Sequence, residues 1–217
     1  MKKKFLCLLC AALIAMGGCG GSAAQQEEKG LSKSVPNEEI SEESVDETNT
    51  DDTEQAAIQI GDFEAETLSG ETASQEIFEK SKLTMLNIWA TFCGPCIQEM
   101  GGLGELNREY EPEEFQIVGL ISDVYSQTQS KEIQQIIEEN LETAEAIVEA
   151  TEADYTHLIL NQPLWEKLGG YMQYVPTTIF LDSEGRQVGE IYSSAHSKEE
   201  WKEIIDNVLS VMEETEG

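Results

Sequence analysis

The segment "WATFCGPCIQEM", residues 89–100, decides the fold, because it joins two kinds of secondary structure around a pair of cysteines. It overlaps a nearly continuous apolar run, "LTMLNIWAT" (83–91), which is typical of a strand buried on both faces. Pro95 favours a helix start, since the N–H that proline lacks is one that the first turn leaves unpaired anyway. The segment therefore predicts a buried strand, a short loop and a helix, with Cys93 and Cys96 at the junction.

A CxxC pair can bind a metal, staple the chain or exchange disulfides. A tetrahedral zinc site needs four ligands, and a c-type haem needs a histidine where Ile97 follows the second cysteine. The two histidines, His157 and His196, have no ligand spacing to the pair and are expected at surface or loop positions. A loop this short also adds little stability when it is closed. We predict no metal and no cofactor, with a copper-handling protein that uses one histidine as an alternative.

Redox chemistry fits the predicted local structure. Cys93 falls at the start of the helix, where unpaired N–H groups and the helix dipole favour an anion and lower the pKa of a thiol. Cys96 lies one turn further on, on the same side of the helix, within bonding reach of Cys93. An exposed nucleophile with a second thiol behind it is what thiol–disulfide exchange through a mixed disulfide requires.

The N-terminus resembles a bacterial lipoprotein signal. Lysines 2–4 precede an apolar run from Phe5 to Met16, which has the length of a signal-peptide core and is short for a membrane span. Two glycines then lead to Cys19. We expect residues 1–18 to be removed and Cys19 to be acylated, which would anchor the protein outside the cytoplasm on the bacterial cell membrane. An ordinary secretory signal cleaved nearby is the alternative.

Residues 19–57 are rich in Ser, Thr, Glu and Asp and contain almost no large apolar residues. Such a segment cannot bury enough surface to offset chain entropy, so we predict an acidic, disordered tether. An acidic docking tail is the alternative. The formal net charge of the chain is -30, which argues against nucleic acid as a partner.

Residues 58–217 are predicted to form one α/β domain with helices on both faces of a sheet. Periodicity and turn residues predict a hairpin near 57–72, a second buried strand at 115–124 and an amphipathic helix at 130–150. The rest is predicted as a strand at 155–161, a short helix at 163–170, a hairpin at 177–193 and a final helix at 197–214. The predicted apolar face of the 130–150 helix consists of Ile133, Ile136, Ile137, Leu141, Ala144, Ile147 and Val148.

The motif "LNIWATFCGPCIQEM", followed later by "YVPTTIFLDSEGRQVGE", resembles the thioredoxin superfamily, and specifically the membrane-anchored TlpA/ResA-like thiol–disulfide oxidoreductases. The resemblance runs from about Gly61 to the C-terminus. It implies a thioredoxin-like fold: a central mixed sheet flanked by helices, with an N-terminal hairpin and an inserted helix. The 130–150 segment occupies the place of that inserted helix.

The resemblance also implies roles for particular residues. Cys93 would be the nucleophile, Cys96 the resolving cysteine, and Pro176 a cis-proline that faces their redox-active disulfide. A cis X–Pro bond would leave the backbone of Val175 free to pair with an extended substrate. The residues expected to contact substrate are Trp89, Gly94, Pro95 and Val175.

Two positions depart from the family pattern. Asn87 stands where thioredoxin has a buried acid, so proton removal from Cys96 would need water or another group. Gly101 stands where the family usually has a proline, and with Gly102 it is expected to weaken or kink the helix. Glu99 is a candidate proton relay; the alternative is an acid on the solvated face of the helix.

The resulting hypothesis is a lipid-anchored protein disulfide reductase that acts on disulfide-bearing exported proteins and receives electrons from a membrane thiol donor. No Lys, Arg or His lies within the motif and the domain is strongly acidic, which disfavours a thiolate and favours a reducing couple. The alternatives are a disulfide oxidase or isomerase, a copper chaperone, and a binding lipoprotein without catalysis.

Overall fold

The computed structural model describes residues 57–216. The predicted signal peptide, the lipidation site at Cys19 and all but the last residue of the predicted tether lie outside the described residues. No helix within 57–216 is long and apolar enough to cross a membrane.

In the part of the chain that the structure describes, seven strands form a two-stranded and a five-stranded sheet. The small sheet is an antiparallel hairpin, as predicted for the start of the domain. The large sheet is mixed and has the order β5-β4-β3-β6-β7. Strands β3, β4 and β5 run parallel, β6 pairs antiparallel with β3, and β7 pairs antiparallel with β6. The strands are β1 (Glu64–Glu66), β2 (Thr72–Ser74), β3 (Leu83–Trp89), β4 (Phe115–Ile121), β5 (Thr156–Ile159), β6 (Thr177–Asp182) and β7 (Gln187–Tyr192).

Within residues 57–216, four α-helices and two short 3-10 turns complete the domain. The N-termini of the four α-helices are capped by side chains: for example, Ser130 accepts from the N–H of Ile133, and Ser197 and Glu200 bond reciprocally. The helices are α1 (Gly94–Glu109), α2 (Lys131–Thr151), α3 (Gln162–Leu168) and α4 (Lys198–Glu216), with 3-10 turns at Gln75–Lys80 and Gly169–Tyr171. The predicted thioredoxin-like α/β fold is confirmed.

The core has two parts, one on each face of the large sheet. Every residue of the central strand β3 is buried, as its continuous apolar run predicts. Met85 and Trp89 pack under α1, α2 and α4 in the part that also contains the two cysteines. Leu86 and Ile88 pack on the other face, against α3 and the N-terminal elements. The cysteines thus lie at one end of the α1–α2–α4 face.

Helix α1 continues through Gly101, Gly102 and Gly104 without interruption. The glycines allow close packing. A Cβ at Gly104 would lie 2.5 Å from the carbonyl oxygen of Glu152, and one at Gly102 would lie 3.2 Å from Cβ of Lys198. The absence of side chains therefore lets α1 approach the end of α2 and the start of α4.

The apolar face of α2 packs on the core largely as predicted. Ala144 is fully buried, and Ile137, Leu141, Ile147 and Val148 are partly buried against the core. Ile136, which the sequence places on the same face, is 50% exposed. It lies at the edge of that face, about 100° around the helix from Ile137.

Candidate active site

Cys93 and Cys96 form a disulfide with an Sγ–Sγ distance of 2.03 Å. Cys93 is the N-cap residue of α1, and its sulfur accepts the backbone N–H of Cys96 at 3.2 Å. Cys93 is 5% exposed and Cys96 is 0% exposed, so Cys93 is the sulfur nearer to solvent. In the reduced state the N–H and the helix dipole would both stabilise a thiolate on Cys93.

The loop before β6 faces the disulfide. The Val175–Pro176 peptide bond is cis, as predicted, and Pro176 is buried. The carbonyl oxygen of Val175 lies 3.5 Å from Cys93 Sγ. Because β6 pairs antiparallel with β3, the start of β6 and the end of β3 meet at the same edge of the sheet. This pairing brings two distant parts of the sequence to one site.

The two chain segments that meet at Cys93 are aromatic where they are exposed and have no charged side chain of their own. Phe92 is 77% exposed and Tyr174 is 71% exposed. Gly94 and Pro95, which follow Cys93, are exposed as well. The segments 83–98 and 169–179, which supply this surface, contain no Asp, Glu, Lys or Arg. An uncharged patch is notable in so acidic a chain. We call Phe92, Gly94, Pro95 and Tyr174 the outer rim.

The prediction that Trp89 contacts substrate is wrong. Trp89 is fully buried, and its indole Nε1 donates to His157 Nδ1 at 3.2 Å, so the ring cannot reach a bound partner. Phe92 occupies the exposed position instead and was missed. The signal for Phe92 was its place directly before Cys93, in the loop between a strand and a helix.

The prediction of a surface or loop position is wrong for His157 and right for His196, which lies in the loop before α4. His157 is a buried residue of β5 whose imidazole fits over Gly119, where a Cβ would lie 2.2 Å from Nδ1. Since an indole N–H only donates, Nδ1 accepts from Trp89 and Nε2 donates to the carbonyl oxygen of Ala153 at 2.9 Å. Burial lowers the pKa of His157 to about 4. Both ring nitrogens are engaged, which weakens the copper alternative.

Glu99 is buried, at 6% exposure, rather than on a solvated face. Its Oε1 accepts from Asn87 Nδ2 at 3.1 Å, and its Oε2 accepts from the backbone N–H of His196 at 3.1 Å and from Trp201 Nε1 at 3.0 Å. Burial raises the pKa of Glu99, although the three hydrogen bonds act in the opposite direction. Asn87 also donates to Thr178 Oγ1, so it links this carboxyl to two strands.

Within residues 57–216, no group of three or more His, Cys, Asp or Glu side chains is arranged to hold a metal ion. The chemistry that the site offers is that of its two sulfurs and of the buried carboxyl behind them. A CxxC disulfide at a helix N-terminus, facing a cis-proline on a thioredoxin-like fold, defines a thiol–disulfide oxidoreductase.

Comparison with known proteins places the chain within that class. The AhpC/TSA family profile matches residues 56–190, so the chain belongs to the AhpC/TSA family. It is 29% identical over 152 residues to the thioredoxin-like protein YneN of Bacillus subtilis (strain 168), covering 70% of this chain and 79% of that protein.

Solved structures share the fold. A thiol:disulfide interchange protein of the thioredoxin family from Chlorobium tepidum TLS superposes with a TM-score of 0.53 at 20% identity, covering 68% of this chain and 93% of its own. A DsbF homologue from Corynebacterium diphtheriae superposes with a TM-score of 0.54 at 23% identity, covering 72% and 89% respectively. Both likenesses show a thioredoxin-like fold.

Proposed function

We propose that the protein reduces disulfides of exported proteins outside the cytoplasm, in the manner that its resemblance to TlpA/ResA-like oxidoreductases implies. The observation that carries the proposal is the asymmetry of the cysteine pair. Cys93 caps α1, receives an N–H on its sulfur and, at 5% exposure, is the cysteine nearer to solvent, whereas Cys96 is fully enclosed. One sulfur is placed to attack a partner and the other to complete the exchange.

In the first step the Cys93 thiolate attacks one sulfur of the substrate disulfide. The substrate S–S bond breaks, a mixed disulfide forms, and the departing substrate sulfur leaves as a thiolate that takes a proton. The N–H of Cys96 at 3.2 Å stabilises the attacking anion. The carbonyl of Val175, 3.5 Å from Cys93 Sγ, marks where an extended substrate backbone would lie.

In the second step Cys96 loses its proton and attacks the Cys93 sulfur. The mixed disulfide breaks, the second substrate sulfur leaves as a thiol, and Cys93 and Cys96 become a disulfide, so two electrons pass to the substrate. Glu99 is the proposed acceptor of the Cys96 proton. It lies three residues further along the same buried face of α1, and burial raises its pKa toward the range where a carboxyl exchanges protons.

The outer rim is the proposed contact surface for the substrate. Phe92 directly precedes Cys93, and Tyr174 directly precedes Val175. Cys93 Sγ and the Val175 carbonyl oxygen meet at the disulfide, so both exposed rings lie beside it. Exposed aromatic rings at such positions contribute contact area with few rotatable bonds. A polypeptide with apolar side chains near its cysteine would bury both rings.

The reducing direction is proposed from charge. Stabilisation of the Cys93 thiolate makes a CxxC pair more oxidising, and cations near the sulfur are the usual means. The 83–98 segment supplies no cation, and the chain carries a net charge of -30, which disfavours another anion. Both features favour a low reduction potential, with an oxidase or isomerase as the alternative.

The proposed location follows from the N-terminal sequence. A lipid on Cys19 and the acidic segment 19–57 would hold the domain outside the cytoplasm, near a membrane dithiol that returns electrons to the Cys93–Cys96 disulfide. The proposed partners are therefore that membrane thiol donor and disulfide-bearing exported proteins. Labelling with radioactive palmitate in a bacterial host, with Cys19→Ala as control, tests the anchor: loss of label in the variant is expected.

Reduction of insulin by dithiothreitol tests the activity, with a Cys93→Ser variant as the matched control. The wild-type protein is expected to accelerate the precipitation of the insulin B chain, and the variant to give the uncatalysed rate. Equal rates for both proteins would overturn the proposed function.

A further inference from the structure

The loop that leads from β3 into Cys93 is held by a carboxylate that the exchange chemistry does not use. Asp123 Oδ2 accepts two hydrogen bonds from Thr91, one from the backbone N–H at 3.1 Å and one from Oγ1 at 2.6 Å. Thr91 is two residues before Cys93 and directly before the exposed Phe92. One oxygen of Asp123 thus fixes both the backbone and the side chain at the centre of the loop.

The sheet explains how Asp123 reaches this loop. Strands β3 and β4 are parallel and in register up to Trp89 and Ile121, so their carboxyl ends lie side by side. Ser122 donates to the carbonyl oxygen of Trp89 through both its N–H and its hydroxyl, each at 2.9 Å. Asp123 is the next residue, and its side chain continues the pairing past the end of the strands.

Asp123 also contacts the inserted helix. Asn140, in the middle of α2, donates from Nδ2 to the carbonyl oxygen of Asp123 at 2.8 Å. The other carboxylate oxygen, Oδ1, is buried and has no hydrogen-bond partner among residues 57–216. Asp123 thus joins the loop before Cys93, through Oδ2, to α2, through its carbonyl oxygen.

We propose that Asp123 is a positioning residue for thiol–disulfide exchange, which it supports by clamping Thr91 and so fixing the direction of approach of Cys93. The exchange needs three sulfurs nearly in line, and a small displacement of the attacking group is costly to the rate. The loop has one further internal restraint, the bond from the N–H of Cys93 to the carbonyl oxygen of Ala90 at 3.0 Å. Through Asn140, the clamp also makes the loop sensitive to the packing of α2. The proposal rests on the proposed function only in that both concern exchange at Cys93.

The test uses the reduced Cys96→Ser protein, so that Cys93 reacts alone, and follows its second-order reaction with 5,5′-dithiobis(2-nitrobenzoate). Asp123→Ala removes both bonds and is expected to slow the reaction about tenfold. Asp123→Asn keeps an oxygen that can accept both bonds and is expected to stay within about twofold of the parent. Equal loss in the Ala and Asn variants would overturn the clamp.

Thr91→Val supplies a milder variant, since it removes the hydroxyl bond and keeps the backbone bond. It is expected to lower the plateau of the rate against pH about threefold and to leave the midpoint unchanged, because no charge is altered. The variant with both Asp123→Ala and Thr91→Val is expected to be no slower than Asp123→Ala alone, since the two residues act through one contact. If the double variant were instead about thirtyfold slower than the parent, the two single losses would be independent, and the proposal would be refuted.

Asp182→Ala is the matched control. Asp182 likewise receives backbone N–H groups at a strand end, from Glu184 and Arg186 in the β6–β7 turn, and has no contact with the loop before Cys93. Its rate is expected to match the parent, and a tenfold loss there would assign the effect to general loosening of the fold. The reaction needs no protein substrate, so these rates test the clamp even if wild-type protein fails to reduce insulin.

Discussion

The two sides of the disulfide differ in chemistry. The outer rim, with Phe92 and Tyr174 as its largest members, is exposed and uncharged. The inner side is buried and polar, with Glu99 receiving three hydrogen bonds and His157 held neutral against Trp89. The difference separates two tasks: the outer side is suited to contact a partner, and the inner side to move a proton and fix the geometry.

The largest expected effect comes from the residue that joins the two sides. Cys96→Ser leaves Cys93 free to attack but removes the second attack, so turnover should stop and a mixed disulfide with the substrate should accumulate. Non-reducing gels followed by mass spectrometry of the captured species measure this. A Cys93→Ser protein that captured the same partners equally well would invert the roles of the two cysteines.

The inner side should also limit stability in acid. The pKa of His157 is about 4 in the folded protein, below its ordinary value of 6.5, so the unfolded chain binds the proton more tightly. The free energy of unfolding should therefore fall as pH drops from above 6.5 toward 4, by about 3 kcal/mol from this residue. Urea unfolding of wild type and His157→Gln across this range measures the difference. Parallel curves for the two proteins would contradict the buried neutral imidazole.

Glu99→Gln tests the proton-transfer role of the inner side. The amide keeps the size of the side chain but cannot take the Cys96 proton, so decay of the mixed disulfide should slow about a hundredfold. Quenched single-turnover reactions with a peptide disulfide measure that decay. Glu105→Gln, on the exposed face of the same helix, is the control and should decay at the wild-type rate. Unchanged decay in Glu99→Gln would leave water as the proton acceptor.

The outer side is tested by truncating its rings. Phe92→Ala and Tyr174→Ala should each lower kcat/KM for insulin about fivefold, equivalent to about 1 kcal/mol of contact energy. Both should react with a small aliphatic disulfide at nearly the wild-type rate, because such a substrate does not reach the rim. Val211→Ala, at an exposed apolar site on α4, should change neither rate. Equal losses with large and small substrates would show that the rings act on Cys93 itself.

Local patterns were enough to predict much of the fold. The apolar run of β3, the proline at the start of α1 and the apolar periodicity of α2 act through neighbours in sequence. The cysteine pair and the cis bond at Pro176 belong to motifs that can be read directly. These features do not depend on how strands pair.

The inner side could not be predicted in the same way, because its contacts are distant in sequence. Glu99 lies on the buried face of α1 with Cys96, but its hydrogen bonds come from Asn87 and from Trp201, 102 residues further on. The burial of His157 depends on Gly119 standing beside it in the neighbouring strand, which only the register of the sheet reveals. The burial of Glu99 and His157 could therefore not be predicted, because residues from several helices and strands surround each of them.

The reduction potential of the Cys93–Cys96 pair decides whether the protein donates electrons, as proposed. Equilibration of the protein with glutathione buffers of known ratio, scored by the gel shift of alkylated thiols, measures the reduction potential directly. We expect a reduction potential of about -270 mV, far from the roughly -120 mV of a strongly oxidising pair. A potential above about -180 mV would contradict the proposed reducing role and identify an oxidase or isomerase instead.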